Sequence, residues 1–136
     1  MSDGRPLPSI DNATDRTFWQ ATADERLLVQ RCGDCQTCQF FPRSWCHYCG
    51  SDDVEWLETD GTGHVHTYTV IRRVTELPAF ADDVPYVVAY VELEEGPRIC
   101  TNIVDCDPAA VELGMSVEVT FDHVTEELAL PKFEPK

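Results

Sequence analysis

The chain has 136 residues, of which 25 are acidic and 10 are basic, so its formal net charge is −15 at pH 7. This length accommodates one domain, or a small module beside a modest domain. The acidic residues are spread along the chain without a basic stripe, which disfavours a nucleic-acid surface, and no apolar run of about 18 residues predicts a membrane-spanning helix.

Residues 1–26 are predicted to form a polar leader and one short docking helix. Asn12 or Thr14 is expected to cap this helix, which carries Phe18 and Trp19 on one face. Two large aromatic side chains on a short helix need an apolar surface to cover them. The sequence favours docking against the body of this chain and leaves a partner subunit as the alternative.

Residues 27–57 carry the most informative motif, two Cys-x2-Cys pairs separated by ten residues. Each pair lets a tight turn point two sulfurs at one tetrahedral ion, so the spacing predicts a zinc ribbon. The segment between the pairs is too short to bury a core, and bound zinc would contribute about 10–16 kcal/mol of folding free energy. Four protein ligands leave no open position, so the zinc is expected to be structural. The predicted ligands are Cys32, Cys35, Cys46 and Cys49.

Two other side chains are alternative ligands. Cys38 offers a second register for the first pair, Cys35/Cys38, but Cys32/Cys35 leaves more room for two hairpin arms between the pairs. His47 lies inside the second pair, where the four thiolates already complete the shell. No secretory signal precedes the motif, so we expect a reduced cytoplasm rather than disulfides. The scarcity of lysine leaves open whether that cytoplasm is rich in salt.

Residues 58–136 have a β pattern throughout and are predicted to form an OB-fold barrel. Gly61 and Gly63 mark a turn before the first strand, and Pro85 opens the second. Five strands with a helical connector between the third and fourth are typical of an OB-fold, with a five-stranded sandwich as the alternative. The expected fold is mainly β: a short N-terminal helix, a rubredoxin-like zinc ribbon and a five-stranded OB-fold barrel. The predicted strands are Val65–Val74, Tyr86–Leu93, Arg98–Val104, Met115–Val124 and Leu128–Phe133, with the connector at Pro108–Gly114.

The chain resembles a known family through an ordered series of sequence blocks. These are QRCGDC, FPRSWCHYCGS, GTGHVHTYTVIRR, PYVVAYVELEEGPR, LGMSVEVTF and LPKFEP. Over residues 15–135 they are similar to the zinc-ribbon plus OB-fold family long catalogued as a domain of unknown function and associated with acyl-CoA. Cys38 is unusual for this family, and His47 stands where its members usually have proline.

The resemblance implies a non-catalytic accessory subunit. Family members are similar to partners of thiolase-fold, retro-aldolase or hydratase subunits, including MaoC-like hydratases, that act on coenzyme A thioesters. The OB-fold is then expected to help cover the CoA channel, and the ribbon to contribute to subunit contacts in a hetero-oligomer. The CoA thioester would be a ligand of the complex.

Coenzyme A needs cations for its phosphates and apolar cover for its remaining length. The few bases of the β region stand out against the acidic background, although each could instead form an intramolecular salt bridge. The predicted CoA contacts are Arg72, Arg73, Arg98 and Lys132, with Arg72 and Arg73 on opposite faces of a strand. The predicted partner contacts are Phe18, Trp19 and the loop residue Phe80.

No catalytic residue is predicted. His64 and His66 alternate on one strand, as a metal pair could, but no carboxylate spacing completes such a site. Cys100 and Cys106 are expected to be buried or inert, since no histidine or helix N-terminus lies near them in sequence. Two other functions stay open: single-stranded nucleic-acid binding, which OB-folds often perform, and a stand-alone acyl-CoA-binding protein or thioesterase.

Overall fold

The chain folds into a three-stranded sheet followed by a closed five-stranded barrel in the computed structural model, which describes residues 7–9, 11–74 and 78–136. The start of the predicted leader lies outside the described residues. Helix α1 (Arg16–Ala23) precedes both sheets, and 3-10 turns cover Pro78–Asp83 and Pro108–Ala110. The strands are β1 (Leu28–Cys32), β2 (Cys38–Gln39), β3 (Val54–Glu58), β4 (Thr62–Ile71), β5 (Tyr86–Leu93), β6 (Arg98–Ile103), β7 (Ser116–His123) and β8 (Ala129–Pro135).

The start of helix α1 differs from the prediction. Asp15 occupies the N-cap position, and no side chain caps the helix there. Asn12 instead organises the preceding turn, since its side-chain oxygen accepts a hydrogen bond from the Thr14 N–H at 2.8 Å. Its backbone carbonyl accepts another from the Arg16 N–H at 2.9 Å. Neither Asn12 nor Thr14 is therefore the cap.

Helix α1 docks against this chain through its buried face. Phe18 is 2% exposed and Thr22 is fully buried. The Thr22 hydroxyl donates to the Trp19 carbonyl at 2.6 Å and accepts from the Ala129 N–H of β8 at 3.2 Å. The helix is thereby hydrogen-bonded to the barrel, which agrees with the favoured prediction that it docks within this chain.

The ribbon sheet has the order β2-β1-β3 and is antiparallel. Its central strand β1 pairs along its whole length with β3, from Leu28 opposite Glu58 to Cys32 opposite Val54. The outer strand β2 has only two residues. The sheet therefore has one firm pairing and one short arm, and its strands lead directly into the cysteine turns.

The barrel has the strand order β4-β5-β6-β8-β7 and closes through pairing of β4 with β7. Its only parallel pair among the described residues is β6 with β8, through Ile103 and Phe133. The short 3-10 turn Pro108–Ala110 lies between the third and fourth barrel strands. This arrangement confirms the predicted OB-fold order, and the sandwich alternative is wrong.

Strand β4 begins three residues earlier than predicted and ends at Ile71. Gly61 does occupy a turn, with a φ of +76°, but Gly63 lies inside the strand. A Cβ atom at Gly63 would lie 2.3 Å from the Glu92 carbonyl oxygen, so glycine permits the close approach of β5. The second predicted turn glycine is therefore a packing residue.

The far end of β4 is set by its partner strand. Ile71 pairs with Tyr86, and the residue before Tyr86 is Pro85, which has no N–H to continue the ladder. Arg72 and Arg73 consequently lie beyond the strand, and both are exposed. The prediction that they point to opposite faces of a strand is wrong.

One hydrophobic cluster joins the helix, the ribbon and the barrel. Phe18 of α1 and the ribbon residues Leu27 and Val29 pack in the same cluster as the barrel interior. Alternation along β5 and β6 sends every second side chain inward. No helix of the described residues is long and apolar enough to cross a membrane. The barrel members of the cluster are Val65, Val87, Ala89, Val91, Leu93, Ile99, Ile103, Val111, Val117 and Phe133.

Candidate functional site

The four predicted ligand sulfurs converge on one point. The Sγ atoms of Cys32 and Cys49 are 3.6 Å apart, as are those of Cys35 and Cys46, and all four lie within 4.8 Å of one another. A tetrahedral ion with Zn–S bonds of about 2.3 Å places its sulfurs about 3.8 Å apart. The sulfur set therefore fits a structural zinc ion in size, donor type and number.

Two matching turns hold these sulfurs. The Gln36 N–H donates to the Cys32 carbonyl at 2.9 Å, and the Gly50 N–H donates to the Cys46 carbonyl at 3.0 Å. Both donors have a positive φ, +63° at Gln36 and +78° at Gly50. Glycine adopts this conformation without steric cost, whereas glutamine does not. The equivalence of the turns shows that the first one spans Cys32 to Cys35.

Backbone N–H groups donate to the sulfurs of Cys32 and Cys46, and Cys32 Sγ accepts from Cys35 N at 3.4 Å. Cys46 Sγ accepts from Tyr48 N at 3.3 Å and from Cys49 N at 3.5 Å. The Thr37 side chain, followed by its backbone, lowers the pKa of Cys35 to about 6. Despite a backbone hydrogen bond from Ser51, the neighbouring sulfur of Cys32 and burial raise the pKa of Cys49 to about 12. Thiolates are the form that binds metal, so metal binding at this cluster would release protons.

The two alternative ligands lie outside the cluster of four sulfurs. Cys38 is paired with Arg31 in the β1–β2 ladder, and burial raises the pKa of its thiol. His47 donates its backbone N–H to the Gln39 side chain at 2.8 Å, and its ring packs against Tyr48. The geometry therefore favours the register that was predicted.

Two buried glutamines fix the loop before the second cysteine turn. Gln30 and Gln39 face each other across β1 and β2 and are joined by a hydrogen bond of 2.8 Å. Gln30 also donates to the Arg43 carbonyl and accepts from the Arg43 N–H, at 2.9 and 2.8 Å. Gln39 contacts the Trp45 carbonyl and the His47 N–H. The buried side chains of Gln30 and Gln39 thus hold the backbone of this loop through hydrogen bonds.

A groove of about 800 Å³ lies beside the metal centre, between α1, this loop and the outer face of β5 and β6. A series of edge-to-face aromatic contacts runs from the buried Phe18 through Phe40 to the exposed Phe41. Phe41, Tyr48 and Tyr90 line the groove and are 69%, 63% and 47% exposed. These three side chains form the "aromatic rim", which the sequence reasoning missed.

Two predicted CoA cations are engaged in salt bridges. Arg98 Nε lies 3.3 Å from a Glu92 carboxylate oxygen, and Glu92 also contacts His64 at 3.4 Å. Lys132 Nζ lies 3.1 Å from an Asp122 carboxylate oxygen. The intramolecular alternative thus describes both residues in this structure.

The four predicted CoA cations do not lie together. Arg98 lines the large groove, and Lys132 lines a smaller one of about 200 Å³. The two grooves share Phe18, Trp19, Phe40 and Cys100. Arg72 and Arg73 follow the end of β4 and line neither groove.

The predicted partner contacts differ in exposure. Phe18 is buried within the chain and presents no surface. Trp19 is half-buried and lines the groove, so it remains available for a contact. Phe80 is half-buried, with its ring centroid 6.2 Å from that of Tyr86. Trp19 and Phe80 therefore remain the predicted contacts with a partner subunit.

The remaining candidate residues form no second metal-binding cluster among the described residues. A β-bulge at His66 interrupts the alternation, so the shared face expected for His64 and His66 is not established. Cys100 is exposed on β6 because it has the same strand parity as the exposed Arg98, so of the expectation that it is buried or inert only the second part stays a prediction. Cys106 is half-buried, and burial raises the pKa of its thiol.

Two family descriptions match the sequence and divide it between ribbon and barrel. Residues 19–55 match the family described as "ChsH2, rubredoxin-like zinc ribbon domain". Residues 56–122 match "ChsH2, C-terminal OB-fold domain". Together the matches cover more than half of the chain, and the two described folds agree with the observed ribbon sheet and closed barrel.

Similar proteins include scaffold proteins and enzyme components. A DUF35 domain-containing scaffold protein of Methanothermobacter thermautotrophicus is 41% identical over 84% of this chain and 85% of its own length. A probable enoyl-CoA hydratase alpha subunit of Thermomonospora curvata is 42% identical over 96% of this chain, but this chain spans only 40% of that relative. A solved chain of the "Ltp2-ChsH2(DUF35) aldolase" is 40% identical, with a TM-score of 0.81 and coverage of 96% of this chain and 98% of that one.

Proposed function

This chain belongs to the DUF35 family of zinc-ribbon and OB-fold proteins, and from that premise we propose that it is a non-catalytic accessory subunit of an enzyme complex. The proposed complex acts on acyl-CoA thioesters, and its catalytic subunit is a thiolase-fold enzyme, a retro-aldolase or a MaoC-like hydratase. The observation that carries the proposal is the close similarity, over nearly the whole of both chains, to a component of the Ltp2-ChsH2(DUF35) aldolase.

The metal centre supports a structural role within such a complex. Cys32, Cys35, Cys46 and Cys49 would hold one zinc ion, which contributes folding free energy when bound. Four protein ligands leave the ion no position for water or substrate. The zinc ribbon would therefore have a structural role, in which the bound ion fixes the positions of its loops.

The surface of the barrel has features that would allow a secondary contact with the CoA thioester. Arg98 and Lys132 lie beside apolar grooves, as binding of phosphates and an apolar chain requires. Their present carboxylate partners, Glu92 and Asp122, would have to share or release them. We propose that CoA is held mainly by the catalytic subunit.

The test is co-expression with enzyme subunits encoded by neighbouring genes, followed by size-exclusion chromatography and acyl-CoA assays. The expected result is co-elution with one enzyme subunit, with turnover present in the complex and absent from the purified chain alone. Hydrolysis of acyl-CoA by the lone chain would instead support a thioesterase. Salt-sensitive retention on single-stranded DNA would support the nucleic-acid alternative.

A further inference from the structure

The groove beside the metal centre has the features of a protein-binding surface. The aromatic rim of Phe41, Tyr48 and Tyr90 supplies three of the five large hydrophobic side chains that are exposed among the described residues. Apolar groups gathered at one place and bordered by charges are typical of interaction sites, and aromatic side chains dominate binding energy there.

The rim is held in place before any partner binds. Phe41 continues the aromatic contacts that begin at the buried Phe18, and Tyr48 lies within the second cysteine turn. The loop between them is fixed by Gln30 and Gln39. A rigid surface loses little conformational freedom on association, which favours affinity.

One carboxylate at the groove lacks a hydrogen-bond donor. Asp15 lines the groove, and its Oδ1 atom is shielded from solvent with no hydrogen-bond partner among the described residues. An unpaired acceptor of this kind is unfavourable, so the Asp15 carboxylate gains from an added donor. Asp15 as a whole is only half-buried at the groove, and a lysine or arginine of a partner would form a charge-assisted pair with its carboxylate.

The groove lining is balanced in charge, with two acidic and two basic residues, so the preference for a basic partner rests on Asp15 and on the charge of the whole molecule. Arg98 is paired with Glu92, so these two groups largely cancel. Arg43 also lines the groove, and its guanidinium donors fit a backbone carbonyl of a bound segment. Across the whole molecule the net charge is −15, which steers a positively charged surface toward this chain.

We infer that this groove binds a segment of the catalytic subunit in which an aliphatic or aromatic side chain lies next to a lysine or arginine. The apolar side chain inserts against the aromatic rim, and the cation pairs with Asp15. This inference rests on the proposed accessory function and adds to it the docking surface and the chemistry of the docking segment.

The test measures the affinity of groove variants for the enzyme subunit that co-elutes with the wild-type chain. We expect the double variant Phe41→Ser/Tyr48→Ser to weaken binding at least about tenfold, because it removes two exposed aromatic anchors. Its zinc content and its urea midpoint should match those of the wild-type chain. The matched control is Leu113→Ser, a 68% exposed apolar residue outside the groove, which should bind normally.

Charge and location are tested separately. Asp15→Asn should weaken binding and reduce its dependence on salt, whereas Asp11→Asn, on the exposed segment before α1, should do neither. A photo-crosslinking p-benzoylphenylalanine placed at position 48 in the complex should label an enzyme segment with a basic residue beside an apolar one.

The outcomes separate the two proposals. Undiminished binding by the double variant, a crosslink to a second copy of this chain, or a crosslink to a segment without lysine or arginine would overturn the groove assignment while leaving the accessory function intact. Failure of the wild-type chain to bind any enzyme subunit would overturn both.

Discussion

The two cysteine turns depend on residues that are not ligands. Gln36 and Gly50 adopt a positive φ so that each turn directs two sulfurs inward. The spacing of the cysteines predicts the ligand set, but it does not reveal that a glutamine takes the position for which glycine is suited. Cys38 illustrates the difference, since its spacing is compatible with a ligand and its place in the β1–β2 ladder removes it from the cluster.

Metal content distinguishes the ligand cysteines from Cys38. We expect Cys46→Ser to lose most of the bound zinc, because three thiolates leave the tetrahedral shell incomplete. Cys38→Ser is the matched control and should retain about one zinc per chain. Inductively coupled plasma mass spectrometry of the purified proteins checks both, and a halved zinc content in Cys38→Ser would assign the first turn to Cys35/Cys38.

The order of the secondary-structure elements can be predicted from the sequence, but the residues at which they begin and end are predicted less well. The β5 boundaries, Tyr86–Leu93, follow directly from Pro85 and the alternation of apolar residues. Strand β4 was misplaced because Gly63 resembles a turn glycine, whereas its role depends on contact with β5, which local sequence does not encode. The aromatic rim was missed for the same reason: its members come from the ribbon and from β5, and only the tertiary fold brings them together.

The contact between α1 and β8 gives a prediction for Thr22. We expect Thr22→Val to lower the free energy of unfolding by about 1–3 kcal/mol, because the buried Ala129 N–H loses its acceptor. The exposed Thr17 of the same helix provides the control variant Thr17→Val, which should be close to neutral. Urea denaturation measures both, and equal effects would show that the hydrogen bond is not the cause.

At the scale of the whole molecule, the ribbon and barrel are joined more closely than the sequence indicates. The sequence divides into segments at residues 26 and 57, yet Phe18, Leu27 and Val29 complete the hydrophobic cluster of the barrel. The Thr59 N–H and hydroxyl both donate to the Leu27 carbonyl, which reinforces the junction. We therefore expect the ribbon and the barrel to stabilise each other across the predicted boundary at residue 57.

Zinc removal tests this sharing. We expect a chelator to lower the thermal midpoint of the whole chain in one transition, because loss of the ribbon uncovers part of the common cluster. Hydrogen exchange of the β5 amides should accelerate along with that of β1. The zinc-free Cys46→Ser protein should show no further change on chelation, and unchanged protection of β5 would indicate two independent units.

The closed barrel also affects how related proteins could come to bind different enzyme subunits. Among the described residues each barrel strand has a neighbour on both sides, so the barrel offers another chain less free backbone edge than an open sheet would. We therefore expect the selectivity of this part of the molecule to reside in outward-facing side chains, which tolerate replacement without disturbing the paired backbone. Paralogues could thus acquire different enzymes through a few exchanges at Phe41, Tyr48 and Tyr90, while retaining one common framework.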